Sequence, residues 1–311
     1  MTPDYIKVDQ LLTRLIEKQS LQANAFAEHE LDWNALGLVV RSDRLMLAPG
    51  TQLLEQDRVA ARLDTAAAAW LQELKIWRAV DSTNKRLMEL AESCSVDGMV
   101  HVAELQIQGR GRRGRAWFSP FACNLAVSAG IGIALEPSAL GGLSLAIGLA
   151  GADCLARSGL DVELKWPNDL LVNGAKLGGI LIEVVRRPAG VEAVIGIGMN
   201  VEVAESVRRQ IDQPVVDLRQ LGVTTHRSEL VADLLGAVYR RVRAFEQTGF
   251  ASMVGEFNQR HAFHGQRALL LQGEIELEGV VCGVSPGGEL KMQTADGEKQ
   301  FSAGEVSLRK L

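Results

Sequence analysis

Cysteine is scarce. The 311 residues hold four, Cys94, Cys123, Cys154 and Cys282, and no two make a C-x-x-C pair. Scattered thiols of this kind fit small hydrophobes packed in a reducing cytosol. Long apolar runs are also missing. The first thirty residues are studded with charges, so no secretory core is expected there. The longest weakly polar run, ALGGLSLAIGLAGA at 139–152, is too short and too rich in glycine to span a bilayer, and it reads as a buried helix. A basic excess is absent too. Against 38 Asp and Glu stand 33 Lys and Arg, a formal charge of −5. Bulk charge therefore advertises no nucleic acid, and any anion site must be a local concentration of cations. The 31 glycines show no period of three, which excludes collagen. No G-x-x-x-x-G-K-[ST] occurs, so a P-loop is excluded; no G-x-S-x-G occurs, so a hydrolase elbow is excluded. His261 and His264 are spaced as a metal pair or an ordinary helix end, and no third ligand joins them, so no resident metal is expected.

What is present is an ordinary globular balance, 47% hydrophobic and 23% charged, in a chain long enough for about two domains. Residues 5–18 place Ile6, Leu11, Leu12, Leu15 and Ile16 on one helical face. Residues 38–47 read as two short strands around Ser42-Asp43, and residues 53–74 are helix-prone. From 75 to about 261, strand-like runs at 99–105, 125–133, 162–166, 170–172, 179–185 and 191–197 dominate, with helical runs at 83–92, 140–157 and 229–247. Asn173-Gly174 is a two-residue hairpin signal, so the sheet is at least partly antiparallel and the class is α+β rather than doubly wound. From Gly265 onward, short strands separated by glycine turns predict a small β-barrel.

The densest local signal is GRGRRGR at 109–115, four arginines in seven residues of an acidic chain. Glycine lets backbone N–H groups approach a ligand, and arginine adds fork-shaped donors for carboxylate or phosphate. The loop reads as a small-anion site, an arginine-rich nucleic-acid patch, or a solvated loop that binds nothing. In the segment LKWPNDL at 164–170, Pro167 bends the chain and Lys165 sits in an apolar strand, where it needs an anionic partner. Asp169 is the structural candidate for that partner, and a ligand phosphate or carboxylate the functional one. Lys176 follows next to Gly178-Gly179 and repeats the theme. Asp81-Ser82-Thr83-Asn84 precedes a helical run as an N-cap, a polar head-group site, or both. Gly196-Ile197-Gly198-Met199-Asn200 ends a strand and matches only half of a dinucleotide fingerprint.

Taken in order, DSTN at 81–84, GRGRRGR-x-WFSP at 109–120, KWPNDL at 165–170, KLGGILIE at 176–183, GIGMNV at 196–201 and GEVSLR at 304–309 resemble the biotin protein ligases. The resemblance is to the bacterial biotin–acetyl-CoA-carboxylase ligases, whose bifunctional members are also biotin operon repressors, and it covers roughly residues 75–311. It implies an α+β fold with a mixed sheet like that of class II aminoacyl-tRNA synthetases, at 75–262. It also implies a degenerate winged helix-turn-helix-like domain at 1–65 and an SH3-like barrel at 263–311. The implied reaction joins biotin to ATP, with Mg2+, and passes the biotinyl group to a lysine of the biotin carboxyl carrier protein. By the family pattern Ser82, Thr83, Asn84 and Gln106 hold the biotin head group, with Arg110, Gly111 and Arg112 around it. Lys165 bridges biotin carboxylate and α-phosphate, and Trp117 stacks on adenine. Asn168, Lys176, Asn200 and Arg309 line the adenylate side. The loop 109–115 is implied to order over the intermediate. Lys165, Arg110, Arg112 and Asp169 are the catalytic candidates, with Asp169 positioning or deprotonating the acceptor lysine. A cytoplasmic homodimer is the expected form.

The N-terminal piece departs from the repressor pattern. Residues 19–37 are short for a second helix, a turn and a recognition helix. LQANAFAEHELDWNAL at 21–36 sets Glu28, Glu30 and Asp32 against no Lys or Arg. Those acids would oppose a phosphate backbone. A ligase alone is expected, with operator DNA binding as the alternative. An RNA-binding module is disfavoured by the net charge and by the Lys165 and Lys176 segments.

Overall fold

The computed structural model describes residues 4–22, 38–203, 205–272, 275–303 and 306–310. Helix α1 (Tyr5–Lys18) starts where the Asp4 carboxylate accepts from the Ile6 N–H at 3.0 Å, and it buries Val8, Leu11, Leu12 and Leu15. Strands β1 (Ser20–Gln22), β2 (Leu38–Arg41) and β3 (Arg44–Leu47) form a three-stranded antiparallel sheet in the order β1-β3-β2. Ser42 and Asp43 both take positive φ between β2 and β3, the geometry of a tight hairpin turn. The apolar face of α1 packs on Leu21, Leu38 and Leu45, and also on Ala79, Leu105 and Phe121 further along the chain. The acidic stretch with Glu28, Glu30 and Asp32, on which the reading of an absent recognition helix rests, lies outside the described residues.

The helix-prone stretch 53–74 divides into α2 (Gln56–Arg62) and α3 (Thr65–Trp70). It divides because the Asp64 carboxylate accepts from the Ala67 N–H at 2.9 Å and starts a new helix. The end of the stretch is not helical but extended, as β4 (Glu73–Trp77). There follow α4 (Thr83–Ala91), β5 (Met99–Ala103), β6 (Asn124–Ile133), α5 (Leu143–Ala156), β7 (Glu163–Lys165), β8 (Asp169–Val172), β9 (Ala175–Arg187) and β10 (Gly190–Asn200). Helices α6 (Glu205–Arg208), α7 (Arg227–Thr248) and α8 (Val254–Arg260) complete this part. The strands make one seven-stranded sheet, β4-β5-β6-β10-β9-β8-β7. Only β4 and β5 run parallel; the other pairs are antiparallel, so the sheet is mixed.

Side-chain alternation divides the labour between the two faces. Val191, Ala193, Ile195, Ile197 and Met199 of β10 join Leu125, Val127, Ala129 and Ile131 of β6 in the main core beneath α5 and α7. The intervening Val194 meets Leu87 and Ala91 of α4 on the opposite face. Gly196 and Gly198 share that second face. The sheet therefore keeps one sealed side and one side that carries α4 and an open cavity. His261 closes α8; it is buried, its Nδ1 accepts from the Phe263 N–H at 3.1 Å, and its carbonyl accepts from the His264 N–H.

The final strands are β11 (Arg267–Gln272), β12 (Ile275–Val284), β13 (Leu290–Thr294), β14 (Gly297–Phe301) and β15 (Val306–Lys310). The short strands predict a small barrel. The ladder runs as a five-stranded antiparallel sheet, β14-β13-β12-β11-β15. Ala268, Leu270, Val281, Leu290 and Met292 of this sheet join the main core. Among the described residues no helix is long and apolar enough to cross a membrane.

Candidate active site

A cavity of about 890 Å³ opens on the α4 face of the large sheet. Ser82, Thr83, Asn84, Gln106, Arg110, Gly111, Arg112, Trp117, Lys165, Asn168, Asp169, Lys176, Asn200 and Arg309 all line it. The residues singled out from the sequence thus converge on one space, although they come from both ends of the sheet and from β15.

One end is polar and largely uncharged. Ser82 caps α4, its hydroxyl accepting from the Lys85 N–H. The Thr83 N–H and hydroxyl both donate to Gln106 Oε1, at 2.9 and 3.1 Å. Ser128 of β6, which the sequence reading missed, stands beside them. Its Oγ lies 2.7 Å from Thr83 Oγ1 and 2.6 Å from Asn84 Oδ1. A lone hydroxyl in the run NLAVSAGI was the available signal. The preceding Asp81 is buried and braces the loop. Burial alone would raise its pKa, but hydrogen bonds from Arg86, Lys85 and the Ser82 N–H outweigh that and hold it at about 2.

The middle of the cavity is cationic. Lys165 projects from the end of β7 with its ammonium 5.7 Å from the Phe263 ring centre. Burial pushes the lysine below its ordinary pKa, with Asp169 opposing the shift. Asp169 is not the ion-pair partner of Lys165 that the sequence suggests. Asp169 forms its ion pair with Lys176, Nζ to Oδ1 at 2.8 Å, and among the described residues Lys165 has no carboxylate at ion-pair distance. Gly179 lies beneath this pair, where a Cβ would make ordinary contact with both partners at 3.5 Å. Asn168 Nδ2 donates to the Ile180 carbonyl at 2.9 Å, and its Oδ1 accepts from Arg112 at 3.3 Å. Arg112 also donates to the Ala303 carbonyl, which ties the arginine loop to the C-terminal sheet. Burial lowers the Arg112 pKa from its ordinary value.

The third region is aromatic. Trp117 is fixed at its backbone by donating to the Gly109 carbonyl at 2.8 Å, and its indole lies against Gly198. The GIGMN segment is therefore no phosphate turn. It runs within β10, where Gly196 makes room for Asn84 and Gly198 for Trp117. The arginine loop is held by the Gly111 N–H donating to the Arg115 carbonyl at 2.8 Å, with Arg113 in the left-handed region. Arg110 is exposed beside the cavity, and exposed Arg309 approaches it from β15. Asn200 lines the cavity, but its amide donates to the carbonyls of Lys176 and Val216 at 3.3 and 3.2 Å, so it braces the wall. Gln210, Asp212 and Pro214, which the sequence reading also missed, close that wall.

Residues 77–200 match the model of the biotin/lipoate A/B protein ligase family. The chain is 34% identical over 281 residues to the bifunctional ligase/repressor BirA of Salmonella typhimurium, covering 89% of this chain and 85% of that protein. It is 32% identical over 273 residues to the biotin–[acetyl-CoA-carboxylase] ligase of Mycobacterium tuberculosis, covering 85% and 98%. The structure of Aquifex aeolicus biotin protein ligase in complex with biotin and ATP superposes with a TM-score of 0.65 at 29% identity, over 78% of this chain and all of that one. The chain belongs to the biotin protein ligases of the biotin/lipoate A/B protein ligase family.

Proposed function

We propose that the protein is a biotin–[acetyl-CoA-carboxylase] ligase: it joins biotin to ATP and passes the biotinyl group to a lysine of a biotin carboxyl carrier protein. The observation that carries this reading is the sequence of environments in one cavity. A pocket of uncharged hydrogen-bonding groups, a half-buried lysine without an acidic partner among the described residues, and an indole on a glycine floor follow one another. Biotin has the matching parts, a urea-like head and an ionised carboxylate, and ATP brings the phosphates and a flat base.

The carboxylate of biotin is ionised at neutral pH, so the first step needs no base. A carboxylate oxygen attacks the α-phosphorus of MgATP, the bond to the β-phosphate breaks, and pyrophosphate leaves. Two anions must meet, and Lys165 and Arg112 supply the charge that permits it, with Arg110 at the edge of the site. Mg2+ enters as part of the nucleotide substrate. Ser82, Thr83, Asn84, Gln106 and Gly111 hold the head group, Trp117 takes the adenine, and Asn168, Lys176, Asn200 and Arg309 border the adenylate. In the second step the acceptor amine attacks the biotinyl carbonyl carbon and AMP leaves. That amine must first lose a proton, and Asp169 positions or deprotonates it. The loop 109–115 shields the mixed anhydride from water.

We assign residues 75–262 as the catalytic domain, 263–311 as an SH3-like barrel and 1–65 as a winged-helix-like unit, in a cytoplasmic homodimer. A second reading, a ligase that also binds operator DNA, rests on the relatives named ligase/repressor and on the β2–β3 hairpin beside α1. Retardation of operator DNA in the presence of biotinyl-AMP, lost at moderate salt, separates the two. The primary test is pyrophosphate release from ATP with and without biotin, with lipoate and octanoate as controls. Biotin-dependent release is the expected result. Release with another acid but not with biotin would move the enzyme to a related acyl-protein ligase.

A further inference from the structure

We infer that Glu183 is a positioning residue that sets the hydrogen-bond polarity of the head-group pocket, by fixing which way the Asn84 amide faces. This rests on the reading of that pocket as the biotin site. Glu183 closes the segment KLGGILIE, whose lysine the mechanism uses but whose acid it does not. The strand register explains its place. Gly196 of β10 pairs with Ser128 of β6 on one side and with Leu181 of β9 on the other. Asn84 lies over this row, so close to Gly196 that a Cβ there would fall 2.2 Å from Asn84 Oδ1.

The Asn84 amide nitrogen donates twice, to the Leu181 carbonyl at 3.2 Å and to Glu183 Oε2 at 3.0 Å. Both partners act as acceptors, so the nitrogen belongs on that side and both of its protons are spent there. Asn84 Oδ1 is thereby turned toward Ser128, 2.6 Å away, on the cavity side. Thr83 uses its own hydroxyl proton on Gln106 Oε1, which leaves the Thr83 oxygen as an acceptor. The Ser128 proton serves one of these two oxygens, and their remaining lone pairs are the pocket's acceptor edge. A cyclic urea presents N–H groups at its sides and needs such an edge. A flipped Asn84 would set N–H against N–H. The Leu181 carbonyl alone offers a longer bond to a neutral acceptor, whereas Glu183 adds a charged one. A hydrogen bond of that kind carries about a tenfold to hundredfold effect on an equilibrium.

The test is steady-state pyrophosphate release by Glu183→Ala and Glu183→Gln beside the unsubstituted enzyme, with biotin and ATP varied separately. Glu183→Ala is expected to raise the biotin KM by about tenfold or more. Its kcat at saturating biotin and its KM for ATP should stay within about twofold of the parent, since uniform binding alone is lost. Glu183→Gln keeps an acceptor oxygen without the charge and should recover part of the loss. An unchanged biotin KM in Glu183→Ala overturns the inference. So does an equal loss in both variants, or a loss spread over kcat and the ATP KM, which marks a collapsed pocket. No biotin-dependent release by the unsubstituted enzyme would sink the ligase reading itself, and this inference with it.

Discussion

Gly198→Ala should abolish efficient use of ATP while sparing biotin. The added Cβ would lie 2.4 Å from Cε2, 2.6 Å from Cζ2 and 2.8 Å from Nε1 of Trp117, against an ordinary contact of 3.4 Å or more. Something must yield by about 1 Å. The strand is poorly placed to do so, because Gly198 pairs with Ala126 on one side and Gly179 on the other. The Trp117 backbone is pinned by Gly109. The indole ring is left to swing out of the cavity. A misplacement of about 1 Å at a positioned group costs on the order of 100-fold, so kcat/KM for ATP should fall by about that factor. Gly196→Ala makes the crossed control, since its Cβ would strike the Asn84 side chain instead. Pyrophosphate release with each substrate varied, together with calorimetric titration of biotin alone, reads both. Gly198→Ala should keep its biotin affinity within about twofold, and Gly196→Ala should lose it. Thermal melts exclude unfolding as the cause. Wild-type ATP kinetics in Gly198→Ala would refute Trp117 as the adenine platform, and identical losses in both variants would refute the division of the cavity into two ends.

Lys165→Ala removes the central cation, and the pyrophosphate release rate should drop by about 100- to 1,000-fold; a drop under tenfold would remove Lys165 from the chemistry. Asp169→Asn should form biotinyl-AMP at the usual rate but transfer it about 100-fold more slowly, and quench-flow with separated carrier protein would show normal transfer if the assignment is wrong. Burial holds His101 at a pKa of about 4, with Lys75 adding to the effect, and burial holds His261 at about 4 as well. The unfolded chain therefore binds more protons between pH 6.5 and 4. Stability should fall as pH drops through that window, by about 3 kcal/mol for each histidine, and level off below it. Urea midpoints across this range should show a flatter acid limb in His101→Leu; an unaltered limb would mean that His101 does not titrate as its burial requires.

Much of the site was legible because its chemistry is written in short segments that break local rules. A lysine in an apolar strand, four arginines in a glycine loop and a polar helix cap each conflict with their surroundings, and each lines the cavity. The partner of Asp169 was not legible. Lys165 and Asp169 face each other across β7 and β8, which makes them the natural pair. The ladder between β8 and β9 slips at Leu170 and Leu171, and Lys176 at the start of β9 reaches Asp169 instead. No local pattern announces a slip of that kind. The role of the two glycines of β10 was not legible either. A half fingerprint at the end of a strand says nothing of the volume that Gly196 leaves to Asn84 and Gly198 to Trp117.

The C-terminal sheet bears on the central lysine. Trp166, fully buried next to Lys165, donates its indole N–H to the Gly288 carbonyl at 3.1 Å. The turn carrying Gly287 and Gly288 presses so tightly on Gly141 and Gly142, just before α5, that a Cβ on Gly141 would fall 2.6 Å from the Gly287 oxygen. Ser144 near the start of α5 in turn donates to the Pro167 carbonyl at 3.0 Å. On the other flank the Ala262 N–H donates to the Leu164 carbonyl at 3.0 Å. Strand β7 is only three residues long and lies at an edge of the sheet, so its own ladder fixes Lys165 weakly. These contacts from α5, α8's end and the C-terminal turn supply what the short ladder lacks. A half-buried ammonium without a carboxylate partner among the described residues is costly to hold, and it can be held in register only where neighbouring elements over-determine the backbone that carries it.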